Sequence, residues 1–221
     1  MVKIERSSVA PFSLAIEKAK GTKNYREQDV VLQLNADFHG KCYLCEIDEL
    51  QSVEVEHLRA HRGTDRDLMF DWNNLFLCCP HCNNMKNRPI YEETILDCCQ
   101  EDPEKVLDQE LVDEHVVVTA LADTVEATRT AELLTDCFEK KNTGIRILEC
   151  QTRINALKTT MIVLYRALEA YKVNKTEKDL RVLRAMLNRS YKFAGFTRTY
   201  VRHHITEYPE LALMVQIRFC G

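Results

Sequence analysis

The 221-residue sequence contains no run of about 18 apolar residues of the kind a membrane-spanning helix needs. No opening segment joins a basic start, an apolar stretch and a small-residue cleavage site. Internal repeats and low-complexity tracts are also missing, which excludes a solenoid or a disordered spacer. These absences predict a soluble, cytoplasmic chain without membrane contacts. There is no basic excess either: the formal charge is −4. That speaks against a free-standing nucleic-acid binder, because Lys and Arg facing phosphate supply most of the non-specific affinity.

Cysteine, by contrast, is plentiful, with ten residues. In a reducing compartment these read as thiols, and metal binding becomes their leading use. Charge is unevenly spread. Residues 96–145 hold four Lys and Arg against thirteen Asp and Glu, whereas residues 146–202 hold thirteen against four. Either the two blocks pair with each other, or the basic one meets phosphate or an acidic partner. In the second case Arg198 and Arg202, spaced i and i+4, share a helical face for docking.

This length allows one large or two small domains. The change in pattern points to an α+β unit over 1–100 and a mainly helical region over 101–221. Helical patterns fall near 13–20 and 25–38, the second carrying Val30, Leu34 and Phe38 on one face and ending at Gly40. Ser52–Leu58 alternates as a strand with Val53 and Val55 on one side. A polar loop from Arg59 to Asp71 leads to a second short strand, Asn74–Cys78, and Pro80 opens a helix through Lys86. Further on, a strand is predicted at Val116–Ala120 and helices at Thr128–Glu139, Ile145–Tyr171 and Asp179–Tyr191.

Cys42-Tyr-Leu-Cys45 and Cys79-Pro-His-Cys82 are matched C-x2-C pairs beside predicted turns. Four thiolates close tetrahedrally on Zn²⁺ and leave no position for water, so such an ion is structural. Cys78, Cys98, Cys99, Cys137, Cys150 and Cys220 lack this spacing and read mostly as small core residues. His81, inside the second knuckle, is a less favoured substitute ligand.

Between and just after the knuckles come Val55-Glu56-His57, Trp72-Asn73-Asn74-Leu75 and Asn83-Asn84-Met85-Lys86. In residue type and order these segments resemble the HNH nuclease motif, a zinc-stabilised ββα-metal unit. The resemblance implies His57 as the base that activates water, and Glu56 with the Asn83 side-chain oxygen as ligands of catalytic Mg²⁺ or Mn²⁺. It also implies Asn74 bonding the loop backbone to orient His57, and Lys86 reaching the scissile phosphate. Both Glu56 and His57 can serve one site only if the strand bends or ends there, since neighbours on a strand face opposite ways. Arg59, His61 and Arg62 are further phosphate candidates, while Trp72, Phe70 and Phe76 read as core anchors.

Over about the first ninety residues, Lys3-Ile4, Pro11, Lys41-Cys-Tyr-Leu-Cys-Glu46 and the segments above are similar to the HNH subunits of Septu-type and retron-associated anti-phage systems. That family has Arg-Pro-Lys after the His, where this chain has Leu58-Arg59-Ala60-His61. The likeness implies a toxic nuclease acting on DNA or on RNA such as tRNA, held by an ABC-type ATPase subunit, with a retron RNA–DNA assembly as a further partner. The rival from another class is a zinc-stabilised module that binds nucleic acid or protein without cutting. A thiol-disulfide exchange protein ranks third, because no thioredoxin-like βαβ pattern surrounds the cysteines.

Overall fold

The computed structural model describes residues 1–92 and 94–215. Cys220 lies outside them. The order of elements is α1 (Phe12–Lys20), α2 (Gln28–Asp37), β1 (Glu54–His57), the short α3 (Arg66–Met69), β2 (Leu75–Cys78), α4 (Pro80–Lys86), β3 (Leu107–Val112), β4 (His115–Ala120), α5 (Val125–Glu139), α6 (Gly144–Asn174), α7 (Glu177–Met186) and α8 (Ala194–His203). The strands make two separate antiparallel pairs, β1 with β2 and β3 with β4, so the chain is mixed α+β. No described helix is long and apolar enough to cross a membrane.

Local chemistry explains the elements that carry the site. On α2, Val30, Leu34 and Phe38 are fully buried. The chain reverses where His39 and Gly40 adopt left-handed φ of 56° and 68°, and the Gly40 amide bonds Asn35 O at 2.8 Å. In the β1–β2 ladder Glu54 lies opposite Cys78 and His57 opposite Leu75. Val53 was expected to share a face with Val55 but precedes the strand; it is 37% exposed and Val55 5%. Pro80 occupies the first turn of α4, where its missing N–H costs nothing, and Cys79 caps the helix by accepting from the Cys82 amide at 3.5 Å.

β3 was not foreseen. Its hairpin turns through Asp113 and Glu114 at φ 46° and 71°, a two-residue connection lacking the Gly or Asn that normally marks it in a sequence. α7 ends at Met186, short of the expected Tyr191, and the Asn188 side chain then accepts from the Ser190 amide to form a turn.

A single hydrophobic core runs across residue 100, from Phe38, Trp72 and Phe76 to Phe138, Phe193 and Phe196. Buried polar ties reinforce it. Lys41 Nζ donates to Arg189 O and Tyr191 O at 2.7 and 2.8 Å, and the Glu46 carboxylate accepts from the Gly195 amide at 2.8 Å. A Cβ at Gly195 would collide with the Gln109 amide.

A further buried cluster absorbs three arginines of the basic block. Glu104 pairs with Arg189 at 2.8 Å, Arg198 at 2.6 Å and Arg202, while Asp102 takes Arg189 at 2.7 Å. Burial opposes ionisation of Glu104, but the three guanidiniums hold its carboxyl below the usual range. Arg198, only 3% exposed, and its neighbour Arg202 thus follow the first of the two alternatives, pairing between the blocks, and not the outward docking face. They turn inward because a buried carboxylate needs compensating charge more than a solvated guanidinium needs a partner.

Candidate metal centre and adjoining cleft

The two knuckles meet at the end of the β1–β2 pair. Tyr43, inside the first, donates its amide to Leu77 O at 3.0 Å, while Cys79 and Cys82 sit at the start of α4. The sulfurs of Cys42, Cys45, Cys79 and Cys82 are buried and lie within 4.8 Å of one another. A Zn²⁺ ion with about 2.3 Å bonds needs thiolates about 3.8 Å apart. Closure thus requires shifts below about 1 Å from the observed limit. The donor set is all sulfur, soft and four in number, and it fits a structural metal such as zinc.

Two neighbours went unforeseen. Cys78 places its sulfur 3.7 Å from Cys42, making a fifth thiol at the cluster. From α6, Arg153 donates Nη2 to Cys79 Sγ at 3.0 Å. Hydrogen bonds from Cys42, Cys45 and Cys82, with the Arg153 charge behind them, pull the Cys79 thiol down, while burial pushes Cys42, Cys45 and Cys82 up. Four thiolates on a dication leave a net charge of −2, which this buried guanidinium partly offsets. His81 is not turned to the sulfurs; its Nδ1 lies 2.7 Å from Glu149 Oε2 and its Nε2 2.9 Å from Cys137 O.

On the other side of α4 opens a cleft of about 280 Å³ whose lining includes Tyr25, Glu56, His57, His61, Arg62 and Asn83. β1 ends at His57, which lets both Glu56 and His57 border it. His57 Nε2 lies 3.0 Å from Met69 O. A carbonyl can only accept, so Nε2 carries the hydrogen and Nδ1 is the lone-pair nitrogen of the neutral ring. Burial, joined by the charges of His61, Lys86 and Arg26, lowers the His57 pKa to about 4 despite the Met69 carbonyl. The imidazole is neutral at pH 7.

Asn74 bonds the loop backbone. Its Oδ1 accepts from the Arg59 amide at 2.8 Å, and its Nδ2 donates to Arg59 O and Leu68 O at 3.0 Å each. One buried side chain thereby closes the 59–68 loop and fixes the backbone beside Met69, the acceptor that orients His57. Asn74→Ala strands these partners at about 1–3 kcal/mol for each buried group left unsatisfied. Thermal melting should show a lowered Tm, and protease should cut first within 59–68; an unchanged melt would refute this role.

Lys86 and Glu56 depart from expectation. Lys86 does not extend toward a phosphate: it is 2% exposed, and Nζ donates to His57 O and Leu58 O at 2.6 Å each while lying 2.7 Å from Glu56 Oε1. Glu56, 3% exposed, also accepts at Oε2 from the Tyr43 hydroxyl at 2.9 Å. The hard-cation site expected at Glu56 and Asn83 does not fit as folded, since an ammonium already faces the carboxylate. Asn83 borders the cleft, and its Oδ1 accepts from Asn87 Nδ2 at 3.2 Å.

Among the phosphate candidates, His61 and Arg62 line the cleft and the exposed Arg59 does not. Arg62 Nη2 stands 3.5 Å from Glu92 Oε2. Tyr25 was missed; its ring meets His57 edge-on at 4.4 Å, and an isolated Tyr ahead of a helix carries no signal for that. Trp72 is a core anchor as read, 5% exposed, with Nε1 donating to Ser7 O at 2.9 Å.

No protein-family profile matches this chain, and no curated protein does.

Proposed function

We propose that the chain is an HNH-type endonuclease that hydrolyses phosphodiester bonds of nucleic acid. The observation that carries this reading is the neutral His57 imidazole, tautomer set by Met69 O, in a cleft bordered by Asn83, His61 and Arg62 and braced by Asn74. In the proposed reaction Nδ1 takes a proton from the water that attacks phosphorus. His61 and Arg62 meet the phosphate oxygens. The antiparallel β1–β2 pair followed by α4, with a thiol cluster clamping its ends, supports a ββα assignment for this unit.

The test is to incubate metal-loaded protein with labelled duplex DNA, single strands and total tRNA, in Mg²⁺ or Mn²⁺, beside His57→Ala. Cleavage by the wild type alone supports the proposal and identifies the substrate. Cleavage by neither protein, with both folded and their knuckles loaded, defeats it.

On motif likeness we extend the proposal to an anti-phage effector held by an ABC-type ATPase subunit, with a retron RNA–DNA assembly as a further partner. Co-purification of the ATPase with this chain, and protection against phage lost with His57→Ala, are the expected results. A second reading, a zinc-stabilised module that binds without cutting, is favoured by one observation: the carboxylate of Glu56 is already neutralised by Lys86. It expects nucleic-acid or protein binding that His57→Ala leaves intact.

A further inference from the structure

Three oxygens, Glu56 Oε1, His57 O and Leu58 O, surround Lys86 Nζ at 2.7, 2.6 and 2.6 Å. They are consecutive in the chain and brought together at the end of β1. Glu56 Oε1 is buried, and among the described residues the Lys86 ammonium is the one charge that compensates it. Three converging oxygens, one of them a carboxylate, are the donor set a hard cation takes.

We infer that Lys86 is the resident cation of the cleft: its ammonium fills the three-oxygen cage that a hard divalent ion would otherwise take, and such an ion enters only when the ammonium leaves. Mg²⁺ bonds oxygen at about 2.0–2.1 Å, so an ion on the Nζ side of Glu56 Oε1 would crowd the ammonium and be repelled by it. Removing the charge while keeping an apolar stem of similar length, as in Lys86→Met, leaves the cage empty with its carboxylate uncompensated. The inference concerns the same cleft as the proposed nuclease, but ion binding is measured without substrate. Failure of cleavage and failure of the cage are therefore distinguishable.

The experiment titrates Mn²⁺ into knuckle-loaded wild type, Lys86→Met and Glu56→Gln/Lys86→Met, following free Mn²⁺ by electron paramagnetic resonance. With the repulsion of a dication by an ammonium lifted, Lys86→Met should bind about 10- to 100-fold more tightly than wild type. The double variant, with both charges removed, should lose the gain. Equal affinity of Lys86→Met and wild type overturns the inference, as does a gain that survives in the double variant. If Lys86→Met unfolds alone, Mn²⁺ should restore its circular dichroism. If it stays unfolded even then, the wild type decides: Mn²⁺ should leave the His57 imidazole resonances sharp, and selective broadening at concentrations that spare exposed histidines overturns the inference.

Discussion

Stripping the metal from the Cys42, Cys45, Cys79 and Cys82 cluster is expected to unfold the knuckles and the cleft together. Structural zinc contributes about 10–16 kcal/mol in small zinc domains, as much as the whole stability of an ordinary domain, about 5–15 kcal/mol. The cluster joins the end of β2, the start of α4 and the turn after α2, and through Arg153 it also reaches α6. Without the ion, four buried sulfurs and an unpaired guanidinium remain where a charge-balanced centre stood. Chelation followed by circular dichroism and a zinc-release assay should show a large drop in Tm, matched by Cys45→Ser. Cys42→Ser should be milder, because Cys78 lies 3.7 Å from Cys42 and can take its place as ligand; Cys42→Ser/Cys78→Ser should match Cys45→Ser. Metal-free protein melting like the loaded form would remove the cluster from any structural role.

His57→Ala is expected to cut the proposed cleavage by about 10²- to 10⁴-fold, the usual contribution of a positioned general base. Zinc content and melting should change little by comparison. The pH profile gives a sharper sign. A base works in its unprotonated form, and burial lowers the His57 pKa to about 4. Cleavage should hold from neutral pH down past 6.5, the ordinary histidine value, and decline only as pH falls toward about 4. The same shift costs stability in acid. The unfolded imidazole takes up its proton near pH 6.5 and the folded one only near about 4, so the stability contributed by neutral His57 is present above 6.5 and is lost as pH falls through about 4. A decline centred near pH 6.5, with the fold intact, would mean that another group is the base.

Much of the site was legible because its parts are local in the chain. A C-x2-C pair places two thiols on one turn, so Cys42 with Cys45 and Cys79 with Cys82 could be read as half-sites without knowing how they meet. The bracing role of Asn74 was readable because a side-chain amide can both donate to and accept from a nearby loop backbone. Lys86 was misread for the opposite reason. Helical spacing puts it one turn from Asn83 but does not say whether its long stem runs outward to phosphate or back to a carboxylate 30 positions earlier. For Arg198 and Arg202 the sequence left two alternatives open: their spacing placed them side by side, while Glu104, 94 and 98 positions away, decided that they face inward.

The sequence by itself determined which residue types could do chemistry, where the chain turns and which short segments become strand or helix, because those depend on covalent geometry and on neighbours within a few positions. Only the tertiary structure decided how the charges are spent. Whether Glu56 meets an ion or Lys86, whether Arg198 and Arg202 meet a partner or Glu104, and whether Cys78 lies beside Cys42 depend on contacts between distant segments. In a buried, weakly screened interior those contacts outweigh any local preference.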